Sequence, residues 1–107
     1  MSATGTTVAD APQRNRYEIS VDGELAGFVT YRRGPGRIAF LHTEIDDGHQ
    51  GAGLAGILVR AVLDAARAEG LTVAPYCPYV AGWIVRHPDY ADLVAQRHRH
   101  LLERRTG

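Results

Sequence analysis

The sequence predicts a mixed α/β (α+β) domain, and three observations carry that prediction. Alternating apolar residues from Tyr17 onward, broken by two turn signals, describe a meander of antiparallel strands. The period then switches to that of an amphipathic helix just after a glycine-rich loop. A short apolar strand and further helical segments complete the chain, and 107 residues leave room for one domain with one modest core.

Taken in order, residues 1–15 are rich in Thr, Ala and Gly and lack periodicity, so they are expected to be a disordered tail ahead of a single domain over 16–107. Tyr17, Ile19 and Val21 alternate with Glu18, Ser20 and Asp22, the pattern of a half-buried strand. Asp22-Gly23 signals a hairpin, with Leu25 to Tyr31 as the return strand. Gly34-Pro35-Gly36 marks a second turn, and Arg37 to Ile45 is a third strand. Leu54, Ile57, Leu58, Ala61, Val62 and Ala65 then fall on one helical face, and Gly70 ends that helix. Leu71 to Ala74 makes a short strand. Pro78 opens a helix through Arg86, Pro88 interrupts it, and Tyr90, Leu93, Val94, Arg97 and Leu101 set out a last amphipathic helix.

Composition removes several function classes. Twelve basic residues, all arginine, balance twelve acidic ones, whereas nucleic-acid recognition needs a concentrated positive face. The basic cluster from Arg97 to Arg105 is read as the solvated side of a terminal helix, with nucleic-acid binding the weaker alternative. One cysteine, Cys77, precludes an internal disulfide. The start has no apolar signal core, and no stretch approaches the roughly 20 apolar residues of a membrane span. A cytoplasmic monomer without membrane or nucleic-acid partners is expected. No metal site is expected either. His98 and His100 are two apart on a helix and diverge, while His42, His49 and His87 lack ligand-like spacing.

The chemistry concentrates in His49-Gln50-Gly51-Ala52-Gly53-Leu54-Ala55, between a strand and a strong helix. Glycines allow a tight turn and close approach of a ligand. The helix start offers unpaired N–H groups and the positive end of a dipole. The loop is therefore either a pyrophosphate cradle or a plain tight connection. A P-loop needs a lysine that this chain lacks, and the dinucleotide fingerprint needs a parallel βαβ unit where these strands are antiparallel.

Gln50-x-x-Gly53-x-Ala55 resembles the Gln/Arg-x-x-Gly-x-Gly/Ala signature of the Gcn5-related N-acetyltransferases. The chain is most similar to a small, truncated, single-domain subgroup. Three segments carry that likeness: His42-Thr43-Glu44 before the loop, Pro75-Tyr76-Cys77-Pro78-Tyr79-Val80 after the next strand, and Arg86-His87-Pro88-Asp89-Tyr90. The resemblance covers roughly Tyr17 to Val94. It implies acetyl-CoA at the Gln50, Gly51, Ala52, Gly53, Leu54 and Ala55 loop, and transfer of its acetyl group to an amine on a small molecule or protein. A non-catalytic module that senses or binds CoA is the alternative.

The resemblance also implies that the strand before the cradle splays from its neighbour, so that backbone N–H groups near Ile45 bind the thioester oxygen. Glu44 and His42 share one side of their strand, and either serves as general base or as a solvated polar pair. Cys77 follows a strand and precedes a helix start, so it is a nucleophile, a lining residue or a buried filler. Tyr79 is a general acid for the departing thiolate or a surface packing residue. Arg86 meets a CoA phosphate or makes a surface ion pair. Trp83 and Ile84 are assigned to the core.

Overall fold

The computed structural model describes residues 5–103. Its sheet has five strands in chain order, β1 (Thr6–Ala11), β2 (Arg16–Val21), β3 (Glu24–Gly34), β4 (Arg37–Ile45) and β5 (Thr72–Pro75). The first four form an antiparallel meander, and β5 joins β4 in parallel after a crossover through α1 (Leu54–Ala68). Helix α2 (Pro78–Arg86) follows β5, then a 3-10 segment over Pro88–Leu93, a 3-10 turn over Gln96–His98 and a single helical turn, α3 (His100–Glu103).

Both hairpins obey their turn residues. Asp22 and Gly23 have φ of 52° and 83°, the two positive angles that a two-residue turn between right-twisted strands requires. Pro35-Gly36 closes the next hairpin, with Gly36 at φ 71° and Gly34 paired to Arg37. Gly70, at φ 74°, ends α1: its N–H donates to the Arg67 carbonyl, and that of Leu71 donates to Ala66.

The expected tail over 1–15 is corrected by β1. Thr6 to Ala11 pairs with β2 from Val21 down to Arg16, and residues 1–4 lie outside the described residues. The pairing escapes a hydropathy reading because β1 buries almost nothing. Its attachment is polar: Asp10 accepts from the Tyr31 hydroxyl at 2.6 Å and pairs with Arg33 at 3.3 Å.

The core lies between one face of β2–β5 and helices α1 and α2, centred on Phe40, Ile19, Ile38, Leu58, Leu63 and Ile84. The buried face of α1 is Leu54, Leu58, Val59, Val62, Leu63 and Ala66. Ile57, expected inside, is 46% exposed, because residues 57–63 are apolar nearly all round and periodicity alone does not fix the rotation. Trp83 and Ile84 are buried as expected.

The expected last amphipathic helix is absent. Tyr90 and Leu93 lie in the 3-10 segment, Val94 is extended and bridges Val73 on the free edge of β5, and only then does the chain coil again. Polar ties to α1 hold the segment in this form. Arg67 binds Asp92 at 2.9 Å and 3.0 Å, and the Tyr90 hydroxyl donates to Asp64 at 2.8 Å. Arg104 and Arg105 of the basic cluster lie outside the described residues. Among the described residues, no helix is long and apolar enough to cross a membrane.

Candidate active site at the parting of β4 and β5

The site begins with an irregularity in β4. Its residues pair with β3 as Tyr31↔Phe40 and then Thr30↔His42, leaving Leu41 as a bulge. One extra residue reverses the facing of everything after it. Before the bulge Ile38 and Phe40 face the core; after it Thr43 and Ile45 take that side, while His42 and Glu44 face outward. The outward pair is in contact, with His42 Nε2 and Glu44 Oε1 3.1 Å apart and both side chains 61% exposed.

The bulge also marks where β4 loses one neighbour. Its pairing with β5 ends at Phe40↔Pro75, and the Cys77 N–H donates to the Phe40 carbonyl at 2.9 Å before the chain turns into α2. From Leu41 to Ile45 the strand is paired on its β3 side alone. Strand N–H groups alternate in direction. Since Asp46 N–H donates to Ala26 on the β3 side, the N–H groups of Ile45 and Thr43 point into the gap. The gap is thus a row of free backbone donors.

A cleft of about 400 Å³ opens on this gap, lined by Thr43, Ile45, His49, Gln50, Gly51, Gly53, Leu54, Ala55, Gly56 and Tyr79. Gly51 and Gly53 carry φ of 88° and 75°, and no atom lies within 4 Å of where a β-carbon on either would sit. Glycine is needed there for the backbone angle, and it leaves the amides bare. Gly53 is the N-cap of α1 and has no side-chain cap, and the first turn holds no acidic residue. The helix therefore presents its orphan N–H groups and dipole to the cleft unneutralised. Gln50 lines the cleft while its amide donates to the Ile45 carbonyl at 3.1 Å, which fastens the loop to the end of β4.

His49 contributes a further unmet donor or acceptor. Its Nδ1 is buried without a hydrogen-bond partner. Asp46 Oδ2, at 3.4 Å, is within ion-pair distance, but the contact is not a hydrogen bond. Bare glycine amides and an uncapped helix start are what a pyrophosphate would complete. The residues present fit acetyl-CoA.

The remaining expected residues divide. Tyr79, on the first turn of α2, lines the cleft, and its hydroxyl would lie 3.9 Å from a β-carbon on Gly56. Cys77 does not line it; the side chain is 2% exposed and its Sγ lies 3.4 Å from the Thr43 hydroxyl, one layer behind the wall. Ala52 is exposed but outside the lining, and Arg86 is exposed at the far end of α2, away from it. Sequence reasoning missed Thr43, His49 and Gly56 as lining residues, and also Arg60. Arg60 stands over the Trp83 ring at 5.2 Å and, with Ile57, borders a shallow groove continuing from Gly53 and Gly56. Thr43 was within reach, since it shares the side of Ile45, but the polar segment His42-Thr43-Glu44 draws attention to its flanks. Among the described residues, no three of His, Cys, Asp and Glu converge as metal ligands would.

A splayed strand pair beside an uncapped, glycine-led helix start has the form that the sequence resemblance leads one to expect, and known proteins can be compared with it. Residues 16–93 match the family model described as GCN5-related N-acetyl-transferase. The chain belongs to that family. A streptothricin acetyltransferase of Streptomyces lavendulae is 35% identical over 68 residues, covering 62% of this chain and 36% of that protein. This chain therefore spans about a third of that relative's length. In structure it is similar to a GCN5-like protein of Staphylococcus aureus solved by NMR, with TM-score 0.61 and 22% identity over 87% of this chain and 91% of the other. It also resembles a ribosomal-protein-alanine N-acetyltransferase of Brucella melitensis biovar Abortus 2308, with TM-score 0.51 and 25% identity over 77% and 65%.

Proposed function

We propose that this protein transfers the acetyl group of acetyl-CoA directly to a primary amine. The observation that carries the reading is the meeting of two sets of free backbone donors at one cleft. One set is the N–H groups of Thr43 and Ile45 in the gap; the other is the amides of Gly51, Gly53, Leu54 and Ala55 at the start of α1.

Acetyl-CoA supplies an activated acyl group and a thiolate leaving group. Everything else falls to the chain. The glycine loop and the α1 start hold the pyrophosphate. The Ile45 N–H stabilises negative charge developing on the acyl oxygen, an effect worth about 3–4 kcal/mol per donor in dry sites. Tyr79 delivers a proton to the departing sulfur from its place on the cleft wall. The Glu44 carboxylate, oriented by His42, accepts a proton from an amine arriving at the outer face. Cys77 supports Thr43 from behind and forms no acyl intermediate, because its sulfur is walled off from the cleft.

A CoA-binding module without turnover is the second reading. It draws on the exposure of Glu44 and His42, which stand on an open face instead of in an acceptor pocket. Incubation with isotopically labelled acetyl-CoA, followed by intact mass and an amine panel, separates the two. Direct transfer predicts labelled amine products, unlabelled protein and a Cys77→Ala variant that keeps its turnover. Tight CoA binding with no labelled product from any amine would leave the module. Label on Cys77 itself would overturn direct transfer.

A further inference from the structure

A second concavity lies on the opposite face of the same strand parting. The two residues just past the last β4–β5 pair, Leu41 and Tyr76, do not line the glycine-loop cleft. They line a more enclosed cleft of about 360 Å³ on the outer face, whose walls are Arg32, Arg33, Arg37 and His98. Its floor is apolar, made by Ala39, Leu41, Ala74 and the Tyr76 ring, with His98 held edge-on to that ring at 5.9 Å. Among the described residues no carboxylate lines it.

The charge here is unbalanced in a chain that is neutral overall. Arg14 and Arg16 are neutralised by Glu18, Arg67 by Asp92, and Arg33 by Asp10 and Glu69. Arg32 and Arg37 have no such partner among the described residues. The Arg37 guanidinium folds back over its own hairpin, about 3 Å from where a β-carbon on Gly34 would be, so it leans toward the cleft wall instead of trailing into water. His98 feels the field: burial lowers its pKa first, then the charges of Arg97, His100 and Arg37. Unopposed cations around an apolar floor repel one another, and an oxyanion relieves that repulsion while accepting planar, paired donors from guanidinium.

We propose that this arginine-walled cleft binds the carboxylate or phosphate of a small-molecule ligand. Resting on the acetyl-transfer reading, that ligand is the acceptor, an amine carrying an acidic group. The acid sits among Arg32, Arg37 and His98 while the amine reaches the gap beyond Leu41. The two clefts then serve one reaction from two sides of a single sheet.

The test reads the site without turnover. Arginine Nε–Hε resonances of the full chain are followed by NMR while inorganic phosphate, and separately acetate, is titrated at fixed ionic strength. Arg32 and Arg37 should shift saturably and Arg67, already paired, should not. Arg32→Gln and Arg37→Gln should each weaken the apparent affinity about tenfold, with Arg37→Lys losing less because it keeps the charge. Whether phosphate or acetate binds more tightly tells which oxyanion the cleft prefers. The acceptor role is then read on an amino acid and its amide as alternative amines. The acid should show a KM about tenfold lower, and Arg32→Gln should erase that preference by raising the KM of the acid and leaving that of the amide. No saturable shift with either anion, or shifts spread evenly over all arginines, overturns the site. Saturable shifts without acetylation of any amine leave the anion site standing and remove the acetyl-transfer reading instead.

Discussion

Replacing Gly53 separates what the glycine loop does for folding from what it does for the ligand. Gly53 holds φ 75° and ψ 14°, in the left-handed region. An alanine there costs about 1–2 kcal/mol for its backbone conformation. Against this, the unfolded chain loses freedom worth about 0.4–1 kcal/mol. No steric charge is added, since nothing stands within 4 Å of the new β-carbon. The net loss is therefore about 1 kcal/mol. A domain of this length unfolds with an entropy near 0.2 kcal/mol/K, so Gly53→Ala should lower Tm by about 4–5 °C. Asparagine tolerates the left-handed region, and Gly53→Asn should recover more than half of that. The open space beside Gly53 is the cleft itself, so both side chains intrude where the pyrophosphate approaches. Thermal unfolding followed by circular dichroism, with CoA titrated by calorimetry, reads both effects. Gly53→Asn should be nearly as stable as the parent yet bind CoA at least tenfold more weakly. An alanine variant as stable as the parent refutes the backbone argument, and an asparagine variant with parental affinity refutes the close approach.

Three other perturbations probe different parts of the molecule. Glu44→Gln should lower kcat about 10²–10⁴-fold with CoA affinity unchanged, as expected for a general base on the face away from the cofactor cleft; equal loss of CoA affinity in calorimetry would count against that placement. Asp10→Ala removes the acceptor for Tyr31 and the partner of Arg33, and should cost about 1 kcal/mol in denaturant unfolding after allowance for exposure. A full-stability variant would mean that β1 is not fastened through Asp10. His98 has its pKa lowered by burial and by neighbouring positive charge. Its folded value lies below its unfolded one, so the stabilisation is complete above the ordinary 6.5 and is lost as pH falls through the folded value. His98→Gln should flatten the decline of stability below about pH 6.5, and a bound oxyanion should raise the His98 pKa in an NMR titration.

Much of this was legible in the sequence, and the failures have physical causes. Turn chemistry is local, so Asp22-Gly23, Pro35-Gly36 and Gly70 announced their elements correctly. The glycine loop was legible for the same reason, because positive φ and an uncapped helix start are properties of a few consecutive residues. What failed was decided by distant partners. β1 is exposed and is held by Asp10, Tyr31 and Arg33, so no hydrophobic alternation marks it. The segment after Pro88 has helical spacing but is diverted by Val73, to which Val94 pairs, and by Arg67. The burial of Cys77 behind Thr43 likewise depends on where two strands part, which its own neighbours do not reveal.

The least legible feature organises the site. Without the bulge at Leu41, strict alternation along β4 would put His42 and Glu44 on the core side with Ile38 and Phe40, and would turn Thr43 and Ile45 outward. Two ionisable side chains would then face α1 and the core, with no partner to offset their burial. The extra residue exchanges the faces at the position where β5 ceases to pair. It leaves the cleft side with a hydroxyl, an aliphatic chain and bare amides, and it puts the imidazole and the carboxylate outside. Under the proposed reaction, donor and acceptor chemistry would be separated by the thickness of one strand. Excising Leu41 would return His42 and Glu44 inward and should abolish folding, so the reversal has to be tested by point changes on either side of it.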